Sequence, residues 1–155
     1  MEPLRVWIQP TSTFADFHPS YPVRAREAFE RWMHVGVPVP YTFVVDSASC
    51  DIPVTWVDHF DIPISGRTHW TRDQHWWIVG SSIEIALHHQ SGAPLGADAI
   101  YAITLHEVGH VLGLDHTQDD ANIMAPKVRV HDLSTSDEHT AQLIYSMPPG
   151  SVSRP

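Results

Sequence analysis

The chain has 155 residues, 43% of them hydrophobic and 17% charged, and a formal net charge of −9 when its twelve histidines are neutral. This size and composition suit one folded domain with a sizeable core, and the acidic balance without a basic stripe excludes a general affinity for nucleic acid or an anionic membrane surface. No apolar run approaches about 18 residues, so no membrane span is expected, and with Cys50 as the single cysteine no intrachain disulfide can form.

The first residues, Met1-Glu2-Pro3-Leu4-Arg5, carry no signal-peptide pattern. Leu4, Val6 and Ile8 alternate with Arg5, Trp7 and Gln9, the pattern of a half-buried first strand that Pro10 ends. A loop from Thr11 to Pro19 leads to Pro22, suited to a first helical turn. Val23, Ala25, Ala28, Phe29, Trp32 and Met33 then recur at helical spacing until Gly36, which predicts an amphipathic helix packed on a sheet. Tyr41 to Val45 and Ile52 to Val57 read as two further strands, with Pro53 near the start of its strand, where no ladder hydrogen bond is needed. Cys50, between them, is expected to be a buried structural thiol rather than a latency or redox switch.

The stretch from Asp58 to Trp77 is the least regular. Within it Arg67-Thr68-His69-Trp70 is expected to form an edge strand whose free backbone groups could pair with an extended peptide. Trp70, Trp76 and Trp77 either line subsites or pack in core and loops. Ser81 to Leu87 alternates as another strand, and His88-His89-Gln90-Ser91-Gly92 reads as a polar turn with solvated histidines. A helix should follow from about Ala97 to Leu112.

That helix carries His106-Glu107-Val108-Gly109-His110, and the chain continues Val111-Leu112-Gly113-Leu114-Asp115-His116. Residues four apart on an α-helix are only about 40° apart around the axis and about 6 Å apart along it, so His106 and His110 can share one ion. Glu107 is placed to take a proton from a water at that ion without being a ligand. His116 would lie about 15 Å beyond His106 on a straight helix, so the chain must turn, and Gly113 stands where a left-handed residue just past a helix end is needed. Three histidines then leave the fourth position of a tetrahedral zinc open for water or substrate. Beyond His116, Asp119 and Asp120 form a solvated turn or fix the tautomer of a ligand histidine. Ser134 is a good N-cap for a last helix, and Asp137 favours its positive end. Pro148-Pro149-Gly150 ends that helix and 151–155 form a tail.

The pattern H-E-x-x-H-x-x-G-x-x-H followed by Asn122-Ile123-Met124-Ala125-Pro126 resembles the metzincin metallopeptidases, whose signature is this motif and a methionine in a tight turn. Thr117 after the third histidine, and Leu133 to Asp137 leading to Gln142-Leu143-Ile144-Tyr145, make the chain most similar to the matrixins, the matrix metalloproteinase family. The resemblance implies an α+β, zincin-like fold: a twisted, mostly parallel mixed sheet of about five strands with two long helices, then a small C-terminal subdomain with the Met-turn and a final helix. It implies one catalytic domain over 1–150, divided near 113, with Met124 beneath the zinc and Pro126 to His131 walling the specificity pocket. Here Pro126-Lys127-Val128 replaces the Pro-x-Tyr common in matrixins. His59, Asp61 and His69 resemble a shortened matrixin loop that carries a second, structural zinc, with Glu84 where a fourth ligand stands; solvated loop histidines are the alternative.

The implied activity is zinc-dependent hydrolysis of peptide bonds, with His106, His110 and His116 as ligands and Glu107 as general base. The expected partner is an extended polypeptide, the expected state a monomer and the expected location extracellular, with neither nucleic acid nor membrane as partner. Two alternatives belong to other classes, a catalytically silent zinc-binding module of the same fold and a histidine-rich metal buffer.

Overall fold

The computed structural model describes residues 2–74 and 78–148, so Trp76, Trp77, Pro149, Gly150 and the tail 151–155 lie outside the described residues. Five strands form one sheet: β1 (Leu4–Ile8), β2 (Tyr41–Phe43), β3 (Ile52–Val57), β4 (Gly66–Arg72) and β5 (Ile78–Ala86). Their spatial order is β2-β1-β3-β5-β4. The first four in that order run parallel, and β4 lies antiparallel to β5 at one edge. Among the described residues three α-helices complete the fold, α1 (Ser20–Met33), α2 (Ala97–Val111) and α3 (Thr135–Ser146). This is the mixed, mostly parallel α+β architecture expected from the sequence.

The core follows from the periodicities. Along β3, Ile52, Val54 and Trp56 are buried while the residues between them are only partly so, the alternation of a strand with one face on the core. Helix α1 buries Tyr21, Ala25, Ala28, Phe29 and Trp32, a stripe at helical spacing, whereas Val23 is 54% exposed. Val23 therefore leaves the expected core list, since it falls outside that stripe. Helix α2 is buried from Ala102 to Val111 without interruption, as befits an element covered on all sides. Trp32, itself fully buried, donates from Nε1 to the Leu105 carbonyl oxygen at 2.9 Å and ties α1 to α2 one residue before the first motif histidine. The second strand stops at Phe43, short of the expected Val45, which is 99% exposed. Cys50 is half-buried rather than buried, and its thiol donates to the Ser47 carbonyl oxygen at 3.1 Å.

His88 corrects a second expectation. It is buried rather than solvated, with Nε2 3.0 Å from Asp16 and Nδ1 3.0 Å from Asp58. It thus joins the loop before α1 to the ends of β3 and β5. The hydrogen bond to Asp16 holds its imidazole above the ordinary value, Asp58 adding to the effect against burial. The sign of the stability effect follows. A folded-state value above the unfolded one of about 6.5 gives stabilisation that is complete below about pH 6.5 and lost as pH rises through the folded-state value. Asp58, held below its usual range first by the hydrogen bond to His59, stays ionised throughout that interval. Thermal unfolding at about pH 6 and about pH 8.5 should show the wild type losing more stability than His88→Gln. Equal losses in the two proteins would mean that the imidazole carries no charge-linked stability.

Candidate active site

Helix α2 starts at Gly96, with Asp98 in its first turn favouring the positive end of the helix. It ends where expected, and Gly113 follows at φ +91°, a backbone conformation that a side chain would strain. The Gly113 N–H donates to the His110 carbonyl oxygen at 2.9 Å and the Leu114 N–H to that of Gly109 at 3.0 Å, which closes the helix and reverses the chain. That reversal brings His116 back beside His106 and His110.

The three Nε2 atoms form a triangle with sides of 3.1, 3.2 and 3.2 Å. Ligand nitrogens around a tetrahedral zinc with bonds of about 2.0–2.1 Å stand about 3.3 Å apart, so the triangle has the size such an ion needs. The donor chemistry agrees. His106 Nδ1 is 2.7 Å from the Ile123 carbonyl oxygen, and His110 Nδ1 is 2.9 Å from that of Leu114. A carbonyl only accepts, so each Nδ1 carries the hydrogen and each Nε2 presents a bare lone pair. Lone pairs facing one another at this range repel unless a cation lies between them. Burial pushes His106 down to about 4 and lowers His110, which keeps both imidazoles neutral and ready to bind a metal. Among the described residues this is the one group of three possible metal-ligating side chains.

Glu107 is 4% exposed and lies in the same cleft as the three histidines, a concavity of about 780 Å³. Thr68 on β4 donates to its Oε2 at 2.6 Å. Burial pushes the carboxyl up to about 7, against the Thr68 hydrogen bond and the nearby His69. Trp70, two residues along the same face of β4, donates from Nε1 to the His110 carbonyl oxygen at 3.0 Å and sets its ring edge-on to the His110 ring. The segment Pro126 to His131 also lines the cleft.

Met124 is 2% exposed, and its sulfur lies so close to Gly109 that any side chain there would press on it. The small residue between the first two histidines thus leaves room for the Met124 sulfur. The backbone around Met124 is fastened twice. Its carbonyl oxygen accepts from the Thr117 N–H at 3.0 Å, while the buried Asp137 carboxylate accepts from the N–H groups of Ile123 at 2.8 Å and Met124 at 3.4 Å. Asp137 also accepts from Ser134 N–H at 2.8 Å, completing a capping box on α3. Its cap role was legible in the sequence; its hold on Ile123, whose carbonyl orients His106, was not.

Other residues weighed from the sequence lie elsewhere. Asp119 accepts from the Ala121 N–H at 3.0 Å and Asp120 pairs with Arg129 at 3.4 Å, so neither orients a ligand histidine. His59 pairs with Asp58 at 2.6 Å and stands 3.7 Å from Asp61, whereas His69 pairs with Glu84 at 2.9 Å. His59, Asp61 and His69 are not gathered within ligand range of one point.

A buried helix bearing two histidines, a glycine turn that returns a third, and a mixed five-stranded sheet alongside define the class of metzincin-type catalytic domains. The sequence profile described as Matrixin matches residues 18–146, and the chain belongs to that family of zinc metalloendopeptidases. It is 26% identical to Metalloendoproteinase 1-MMP of Arabidopsis thaliana, an alignment covering 92% of this chain and 45% of that protein. It is 27% identical to Matrix metalloproteinase-15 of Homo sapiens, over 94% of this chain and 21% of that one. With Metalloendoproteinase 2-MMP of Arabidopsis thaliana the identity is 30%, over 59% of this chain and 24% of the relative. The chain therefore spans less than half the length of these relatives. Among the described residues no helix is long and apolar enough to cross a membrane.

Proposed function

We propose that this chain is a zinc endopeptidase that holds its ion on His106, His110 and His116 and uses Glu107 as general base, residues 1–150 acting as one catalytic unit. The observation that carries this is the triangle of three Nε2 atoms, two of them fixed as bare lone pairs by their Nδ1–carbonyl hydrogen bonds, beside a buried carboxylate in one cleft. Bound there, zinc supplies Lewis-acid polarisation of the scissile carbonyl and acidifies water at neutral pH. Glu107 takes the proton of the attacking water and returns it to the leaving amine, and its dry surroundings suit a group that must do both near neutrality. The turn at Asn122 to Ala125 serves as the Met-turn, closing the floor beneath the histidines. The substrate lies extended along β4, whose place at the sheet edge leaves one row of backbone groups for a peptide to pair with. Apolar residues lining the cleft, Ile103 and Val128 among them, receive a substrate side chain. Family membership supports an extracellular site of action.

The test is metal removal. Chelation should abolish cleavage of casein or a quenched peptide, and about one equivalent of zinc per chain should restore it in full. A silent module of the same fold would bind that zinc equally well and cleave nothing. A requirement for a second equivalent would point to a further ion outside the three-histidine group.

A further inference from the structure

The Glu107 carboxylate is held from β4, and that strand supplies more than a template for substrate. Thr68 Oγ1 stands 2.6 Å from Glu107 Oε2 and 3.1 Å from the carbonyl oxygen of the same residue. One hydroxyl therefore bridges the side chain and backbone of Glu107, which fixes the side chain's rotamer. Gly66, two residues earlier on the same face of β4, leaves the space the carboxylate occupies: a Cβ there would stand 2.5 Å from Oε1 and 2.8 Å from Cγ. Strand alternation explains the pair. Gly66, Thr68 and Trp70 face α2, whereas Arg67 lies over the Phe60 ring and His69 meets Glu84, on the other face. Among the described residues Thr68 provides the one hydrogen bond to the carboxylate, on Oε2, and none donates to Oε1.

We infer that Thr68 is a positioning residue for the general base: its hydroxyl anchors Oε2 of Glu107 while Gly66 leaves the slot that Oε1 occupies, so that the carboxylate keeps one orientation for the reacting water. This rests on the assignment of Glu107 as base. A hydroxyl bonded to a carboxylate at short range belongs to the stronger class of hydrogen bonds, and a carboxylate free to rotate in a buried cleft loses the near-attack geometry that the step needs.

The experiment compares zinc-loaded wild type with Thr68→Val, which keeps the shape and removes the hydroxyl, Thr68→Ala, which removes bulk as well, and Thr68→Ser, which restores the donor. Expected is a fall in kcat of about ten- to a hundredfold in Thr68→Val and Thr68→Ala at unchanged KM, the effect of one charge-assisted hydrogen bond. Thr68→Ser should return to within about threefold of wild type. A readout independent of the ion is the ¹³C resonance of the Glu107 carboxyl carbon in metal-free protein, assigned by its loss in Glu107→Gln. It should move in Thr68→Val and move back in Thr68→Ser. Wild-type kcat in Thr68→Val, or a resonance indifferent to the hydroxyl, would overturn the proposal and leave Glu107 as base. A rise in KM at unchanged kcat would overturn it too, making Thr68 a substrate contact. A wild-type protein that cleaves nothing while zinc-loaded would mean that Glu107 is not a working base, and the proposal would fall with that assignment.

Discussion

Glu107→Ala protein is expected to bind about one zinc per chain and to cleave peptide at a rate about 10²- to 10⁴-fold below wild type, the range a positioned general base contributes. The imidazoles of His106 and His110 are oriented through Nδ1 by the carbonyl oxygens of Ile123 and Leu114, not by Glu107. Metal binding and proton transfer are therefore separable in this site, and the mutation should split them. The measurements are zinc stoichiometry by metal analysis and turnover of a quenched peptide. Cleavage by Glu107→Ala at the wild-type rate would remove Glu107 from the mechanism, and loss of zinc would make it part of the metal-holding structure instead.

The second large effect is expected far from the histidines in sequence. Asp137 is 3% exposed and accepts hydrogen bonds from the backbones of Ile123, Met124 and Ser134. Removing the carboxylate in Asp137→Ala leaves those N–H groups in a dry setting without their acceptor. At about 1–3 kcal/mol for each group so stranded, and allowing for partial relaxation, the loss of unfolding free energy should be about 3–5 kcal/mol. Ser134→Ala, which removes the cap and the hydroxyl's bond to Asn122 but leaves the Asp137 carboxylate on Ile123 and Met124, should cost about 1–2 kcal/mol. Urea unfolding of the two variants decides between capping and anchoring; equal losses would reduce Asp137 to a helix cap. Because Ile123 also accepts from His106, Asp137→Ala should weaken zinc binding by about 10- to 100-fold in a chelator competition, as loss of an outer hydrogen bond to a ligand does.

These residues mark where sequence reasoning reaches and where it stops. His106, His110 and the turn at Gly113 were legible because a helix converts spacing into direction, and because glycine at a helix end has few other uses. The strands were legible from alternation, with errors at their ends: β2 stops two residues early and β4 is longer than the four residues expected. His88 was misread because its partners, Asp16 and Asp58, lie 72 and 30 residues away along the chain, and local composition says only that the neighbourhood is polar. Thr68 was assigned to peptide binding through its backbone, and its side chain went unread because its partner is 39 residues distant. Asp137 could have been suspected from its excess capacity: a carboxylate offers about four acceptor positions and a helix cap uses one or two. What no local pattern supplies is which carbonyls orient the histidines, since Ile123 and Leu114 contribute only backbone.

The antiparallel pairing of β4 with β5 couples Thr68 to Ile83 and Trp70 to Ser81. Because side chains on a strand change face at every residue, a slip of this ladder by one position would turn Thr68 and Trp70 outward and direct Arg67 and His69 at Glu107. The proposed catalytic centre is thus indexed by strand pairing as much as by the histidine motif. Insertions between β3 and β4 are tolerable so long as the ladder keeps its phase. On the proposed roles, a transplanted α2 helix and its turn would carry the three histidines but not the Thr68 contact to Glu107 unless this hairpin travelled with it.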